Sequence, residues 1–168
     1  MLVVADSSPL IYLSRVGLLH VMPALFGEVV VPRTVWNETV ERRPSAPGIE
    51  MLRQAAWLRI VDDRSAINLG LDPGETAAIL EAESAGADLL LIDERVGRRV
   101  AQERGLAVRG TLGVLVQARQ SGVVAALKPV LDTLVAEGFR IAPTLIREAL
   151  AHVGEGAEPQ DPKATRRT

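Results

Sequence analysis

The chain contains no cysteine, which excludes disulfide staples, thiolate zinc sites and cysteine nucleophiles. Its two histidines, His20 and His152, are too few for a histidine-rich metal site. Aromatic residues are equally scarce. Tyr12, Phe26, Trp36, Trp57 and Phe139 are all of them, so sequence-blind stacking of bases on the protein would be weak. No apolar run approaches the length that crosses a bilayer, and Asp6 interrupts the opening run before a signal-peptide core can form. The expectation is a soluble, cytoplasmic protein without membrane association. Lysine is nearly missing as well: of 19 basic residues only Lys128 and Lys163 are lysine. The remaining arginines suit bidentate phosphate contacts, although a GC-rich genome would bias usage the same way.

What remains suffices for one ordinary domain, with 168 residues of which 48% are hydrophobic. A formal net charge of −2 argues against a generally basic nucleic-acid-coating protein, while leaving room for local asymmetry. Short apolar runs at Leu2–Ala5, Glu28–Val31, Leu58–Val61, Asp88–Ile92 and Leu106–Val108 read as strands. Helical patterns lie between them, around Pro9–Leu19, Arg33–Arg42, Gly48–Trp57, Glu75–Ala85 and Arg95–Arg104. Strand–helix alternation implies a three-layer α/β sandwich with a central parallel sheet. Beyond Gly110 the strand signal stops, and "TLGVLVQARQSG", "AALKPVLDTLVAEG" and "PTLIREALAHVG" read as three C-terminal helices, each closing on glycine. The expected organisation is one domain over residues 1–154, with 110–154 as a helical extension. Residues 155–168, without apolar periodicity and rich in proline and charge, read as a disordered tail.

Two of the apolar runs finish on a carboxylate. In a parallel α/β sheet ligands bind outside the carboxyl ends of the strands, so Asp6 and Asp93 point to where function usually sits. Either residue also fits a helix N-cap. For Asp6 the capping role is redundant, because Ser8 and Pro9 supply a cap and a first helical residue. For Asp93 it stays open, with Glu94 alongside to favour the helix dipole. Glu75 is similarly two-sided. "DPGE" fits a capping box on Asp72, yet Glu75, Ala78, Ile79 and Ala82 share one helical stripe, where a carboxylate needs a cation or donors. In "VPRTVWNETVERR", Glu38 lies one turn from Val35 and faces inward, whereas Glu41 beside Arg42 and Arg43 reads as a solvated charge cluster.

Inward carboxylates without lysine or histidine partners repel one another, and a divalent cation is the natural resolution. Oxygen-only ligation selects Mg²⁺ or Mn²⁺ over zinc, and such an ion can activate water for attack on a phosphodiester. There is no P-loop or dinucleotide fingerprint. A receiver-type phosphoacceptor would need a late-strand lysine, and a haloacid-dehalogenase-like phosphatase a second aspartate where Ser8 stands.

In this order, "VVADSSPLIYLSRVG", "VPRTVWNETV", "LDPGETAAILEA", "LLLIDERVGRRVAQERGL" and "GTLGVLVQARQSG" resemble the PIN-domain family, and specifically its prokaryotic branch related to VapC-type toxins. The resemblance covers roughly Met1 to Gly154. It implies a metal-dependent ribonuclease with catalytic Asp6, Glu38, Glu75 and Asp93, of which Asp6, Glu75 and Asp93 bind Mg²⁺ or Mn²⁺. The sequence departs from the commoner pattern in having glutamate at 75, and in lacking a serine or threonine two residues before Asp93. Ser7, Ser8 and Thr111 are expected either to contact substrate or to cap helices, and Arg95 and Arg98 either to hold RNA phosphates or to form a solvated face. Implied partners are RNA, a small antitoxin protein and a second copy of the chain, the last also suggested by the apolar face of Pro9–Leu19. The alternative is a PIN-like module that binds RNA or protein without cleaving.

Overall fold

The structure, a computed structural model, describes residues 1–64 and 67–156. Five strands, β1 (Val3–Ala5), β2 (Val29–Pro32), β3 (Leu58–Val61), β4 (Leu89–Leu91) and β5 (Val108–Arg109), form a sheet ordered β3-β2-β1-β4-β5. Every neighbouring pair is parallel, with Val3 of β1 opposite Val29 on one side and Leu89 on the other. The residues of β1, β2 and β4 are buried because helices cover both faces, hence their unbroken Val and Leu runs.

Among the described residues there are nine α-helices: α1 (Ser7–Arg15), α2 (Val21–Phe26), α3 (Arg33–Trp36), α4 (Ile49–Arg53), α5 (Pro73–Ala85), α6 (Arg95–Glu103), α7 (Thr111–Gln120), α8 (Leu127–Ala136) and α9 (Pro143–His152). Helices α3 and α5 pack on one face, with α6 against α5; α1, α2, α4 and α7 form the other layer, and α8 and α9 pack on α7. The chain steps from β1 to β2 on one side and to β4 on the other. That reversal opens a crevice at the carboxyl ends of β1 and β4, where Asp6 and Asp93 stand.

The expected α/β architecture and C-terminal helices are present, and the differences have local causes. The Pro9–Leu19 pattern is two helices. Gly17, at φ 71°, closes α1: Gly17 N–H bonds the Ser14 carbonyl and Leu18 N–H bonds that of Leu13 at 2.8 Å, after which α2 starts afresh. The helix opens at Ser7 rather than Pro9, so Ser8 is not its cap. The Gly48–Trp57 pattern shrinks to α4: Gly48, left-handed, stands just before it, and after Arg53 the chain turns out of the helix, Ala55 N–H bonding the Leu52 carbonyl and Leu58 N–H that of Ala55 as β3 begins. The Arg33–Arg42 pattern divides: α3 is followed directly by a π-helical turn, Asn37–Glu41. Helix α3 packs on α5, whereas the π turn packs on α1 and α4, so Glu38 comes to lie over the sheet edge.

The apolar face of α1 is used within the same chain, with Leu10 and Leu13 fully buried, so it is not available for self-association. Glu155 is held in the fold. Its carboxylate accepts from Leu127 N–H and Lys128 N–H at the start of α8 and from Arg119 Nε at 2.7 Å. Apart from Glu155 and Gly156, the expected tail lies outside the described residues. No helix among the described residues is long and apolar enough to cross a membrane.

Candidate metal centre

Asp6 follows β1 directly, its N–H bonded to the Leu91 carbonyl of β4 at 2.9 Å, which fixes the carboxylate over the crevice. It occupies the N-cap position of α1, yet its side chain makes no capping hydrogen bond. Only 2% exposed, it keeps Oδ1 buried and without a partner. Burial pushes its carboxyl up to about 7, reinforced by the charges of Glu38, Asp93 and Asp72 and opposed by the Ser7 N–H.

Glu75 begins the buried stripe of α5 and is 7% exposed. Burial, with Asp6, Asp72 and Glu94 adding to it, raises this carboxyl to about 7 as well, while the Asp72 N–H draws it down. Asp72 sits at the N-cap of α5 but makes no side-chain cap bond. Its carboxylate instead adds to the negative field on Asp6, Glu38 and Glu75, a role the sequence pattern hid behind a capping box. Glu38, half-buried on the π turn, is raised by desolvation and by Asp72, with the Gly74 N–H, Arg42 and Arg43 pulling the other way. A Cβ on Gly74 would meet the end of the Glu38 side chain at Oε2, so any larger residue there would push that carboxylate aside.

Asp93 is held differently. Thr111 gives it two donors, N–H to Oδ1 at 2.7 Å and Oγ1 to Oδ2 at 2.6 Å. Burial nonetheless raises its carboxyl above the usual range, against the pull of Thr111 and of Arg98. A Cβ on Gly110 would lie 2.8 Å from both Asp93 Oδ1 and Arg98 Nη1. Asp93 does not cap its own helix. Glu94 does so, its side chain accepting from Val96 and Gly97 N–H. Thr111, fully buried as the first residue of α7, orients Asp93 and has no open face toward a substrate.

The structure thus brings Asp6, Glu38, Glu75 and Asp93 to one sheet edge, where each is raised by burial. Of the arginines singled out from sequence, Arg98 faces Asp93, Arg95 is exposed at the start of α6, and the neighbouring Arg99 pairs with Glu103. Ser7 and Ser8 open α1 and line a cleft of about 620 Å³, together with Glu38, Asp72, Arg42 and Arg43. Arg42 and Arg43 had read as part of a solvated cluster. Their placement follows from how the π turn seats on α1, for which no local pattern codes.

A family model described as "DUF3368: PIN domain" matches residues 2–155. The chain belongs to the PIN-domain family. Neither curated proteins nor solved structures give a match. As a PIN domain it is of nuclease type, a class of hydrolases that typically use divalent metals. The donor set of this PIN domain suits such an ion: oxygen ligands only, a buried Asp6 oxygen with no hydrogen-bond partner, and carboxyls that neighbouring acids raise together. Among the described residues no three acids stand as a ready-made ligand group.

Proposed function

We propose that the chain is a Mg²⁺- or Mn²⁺-dependent endoribonuclease. The observation that carries this reading is the unpartnered, buried Oδ1 of Asp6 at the edge where Glu38, Glu75 and Asp93 converge. Asp6, Glu75 and Asp93 would hold the metal, which when bound supplies an activated water and charge stabilisation at phosphorus. Thr111, through both its donors, keeps Asp93 turned toward the crevice. Glu38, facing the cleft with a raised proton affinity, accepts the proton of the attacking water. Water adds to phosphorus as one P–O ester bond breaks, leaving a phosphate monoester on one fragment and a hydroxyl on the other.

Cleavage of a panel of structured RNAs with Mn²⁺, with EDTA and with Asp6→Asn tests the assignment. Loss of cleavage under both treatments is the expected outcome; survival under both sinks the mechanism. Metal binding without cleavage would favour the other reading, a binding module for RNA or protein.

We infer further that the chain is the toxin of a cytoplasmic toxin–antitoxin pair, a reading supported by the resemblance of its ordered motifs to that branch. A small DNA-binding antitoxin encoded immediately upstream is the observation that checks it. A homodimer is part of this reading, resting on the family resemblance alone, and sedimentation as a clean monomer at micromolar concentration would contradict it.

A further inference from the structure

The cleft beside the acids carries charge of both signs on separate elements. Glu38 and Asp72 line it from the π turn and the start of α5, while Arg42 and Arg43, about one turn beyond Glu38, and Arg15, about two turns along α1 from Ser7, also face it. Neither Arg42 nor Arg43 enters an ion pair or side-chain hydrogen bond among the described residues, and both are exposed. Arg15 is held in place. Its guanidinium lies 5.5 Å from the centre of the Tyr12 ring and donates from Nη1 to the Glu137 carbonyl at 3.2 Å. Tyr12 is itself braced edge-on by Phe139, with ring centres 4.6 Å apart. Glu137 and Phe139 follow α8, so the C-terminal extension braces from behind two residues, Tyr12 and Arg15, that line the cleft.

We infer that this cleft is the path of a single RNA strand, with Arg15, Arg42 and Arg43 holding the phosphates next to the scissile one and Phe139 acting as a positioning residue for Arg15. The inference rests on the ribonuclease reading and adds where the substrate lies. A polyanion fits the geometry because Arg15, Arg42 and Arg43 line a cleft that Asp6, Glu75 and Asp93 do not, so they attract the flanking phosphates apart from the carboxylates that a metal needs. A single strand is favoured by depth: Asp6 is only 2% exposed while Arg42 and Arg43 are on the surface, so the backbone must bend inward between them, which a stiff duplex resists. Of the arginines expected from sequence to hold phosphates, Arg98 stands beside Asp93 and Arg95 lies outside this cleft.

The test uses the full chain with Mn²⁺ and a short fluorescein-labelled single-stranded RNA that the wild type cleaves. Arg42→Gln/Arg43→Gln is expected to raise KM by about tenfold or more with kcat changed much less, and to flatten the log–log salt dependence of single-strand binding by about 1.4, roughly 0.7 for each arginine. Phe139→Ala should raise KM in the same sense by less, with Phe139→Tyr restoring it. Arg59→Gln, an exposed residue of β3 paired with Glu28, controls for general charge and should leave KM unchanged. The same RNA annealed to its complement should bind about tenfold more weakly. An unchanged KM in the double arginine variant, or equal binding of the duplex, overturns the inference while leaving the ribonuclease reading intact. A wild type that neither binds nor cleaves any RNA overturns both.

Discussion

Glu155 and Asp6 are carboxylates at opposite ends of the chain, each placed against a helix start, and their surroundings could hardly differ more. Glu155 receives two backbone N–H groups and a guanidinium, and its carboxyl is held down to about 2 by those donors. Asp6 has a buried oxygen with no partner, lies among other acids, and titrates near 7. The first group is complete as the chain folds and fastens α7, α8 and the end of α9 together. The second is left incomplete by folding, as a ligand site must be. Burial alone does not distinguish a structural acid from a functional one; the supply of donors does.

The comparison breaks most visibly at Asp6. Asp6→Asn should lower Mn²⁺-dependent RNA cleavage by about a thousandfold or more, read as single-turnover rate, since it removes the charge that holds the ion. Gly74→Ala should come next, with cleavage down about tenfold and little change in thermal midpoint, because its methyl group displaces Glu38 without disturbing the core. An unaltered rate would show that the position of Glu38 does not matter. Glu155→Gln should leave the rate alone and lower the thermal midpoint by a few degrees. If it instead altered cleavage and spared stability, the contrast drawn here would be reversed.

The smallest expected effect concerns pH. Asp6 and Glu75 bind protons more tightly folded than unfolded, so metal-free stability falls as pH rises from the ordinary carboxylate range through about 7. Each pH unit of that window is worth up to about 1.4 kcal/mol per group, screened in practice. Glu155 has the opposite sign: its contribution is present above the ordinary glutamate range and is lost as pH falls toward 2. Thermal midpoints of the EDTA-treated chain should therefore peak in the mildly acid range, and Mn²⁺ should raise them most near neutrality. A midpoint that climbs steadily from pH 5 to pH 8, a range of ~3 units over which the two acids lose their protons, would contradict the assignment.

The sheet was legible because buried parallel strands have to be continuous apolar runs, as "LVVA" and "LLLI" are. The three last helices were legible through their closing glycines. The four acids were found because strand ends and helix starts have a defined place in a parallel sheet. What stayed hidden was set by packing between distant segments. Asp72 looked like a cap until its side chain was seen to make no such bond, and that Arg42 and Arg43, exposed as expected, also line the cleft beside the acids showed only with the π turn seated on α1. Thr111 meets Asp93 across 18 positions of sequence, a separation no local pattern spans.

The π turn that carries Glu38 has one more consequence. Relative to an α-helix it accommodates a single additional residue, which amounts to about 100° of rotation for everything beyond it. Shortening the chain by one residue between Asn37 and Glu41 would let an uninterrupted α-helix form and swing whatever follows the deletion to another side. The spacing between Glu38 and Arg42 is thus a phase setting, and a one-residue change in length would retune it more sharply than most substitutions.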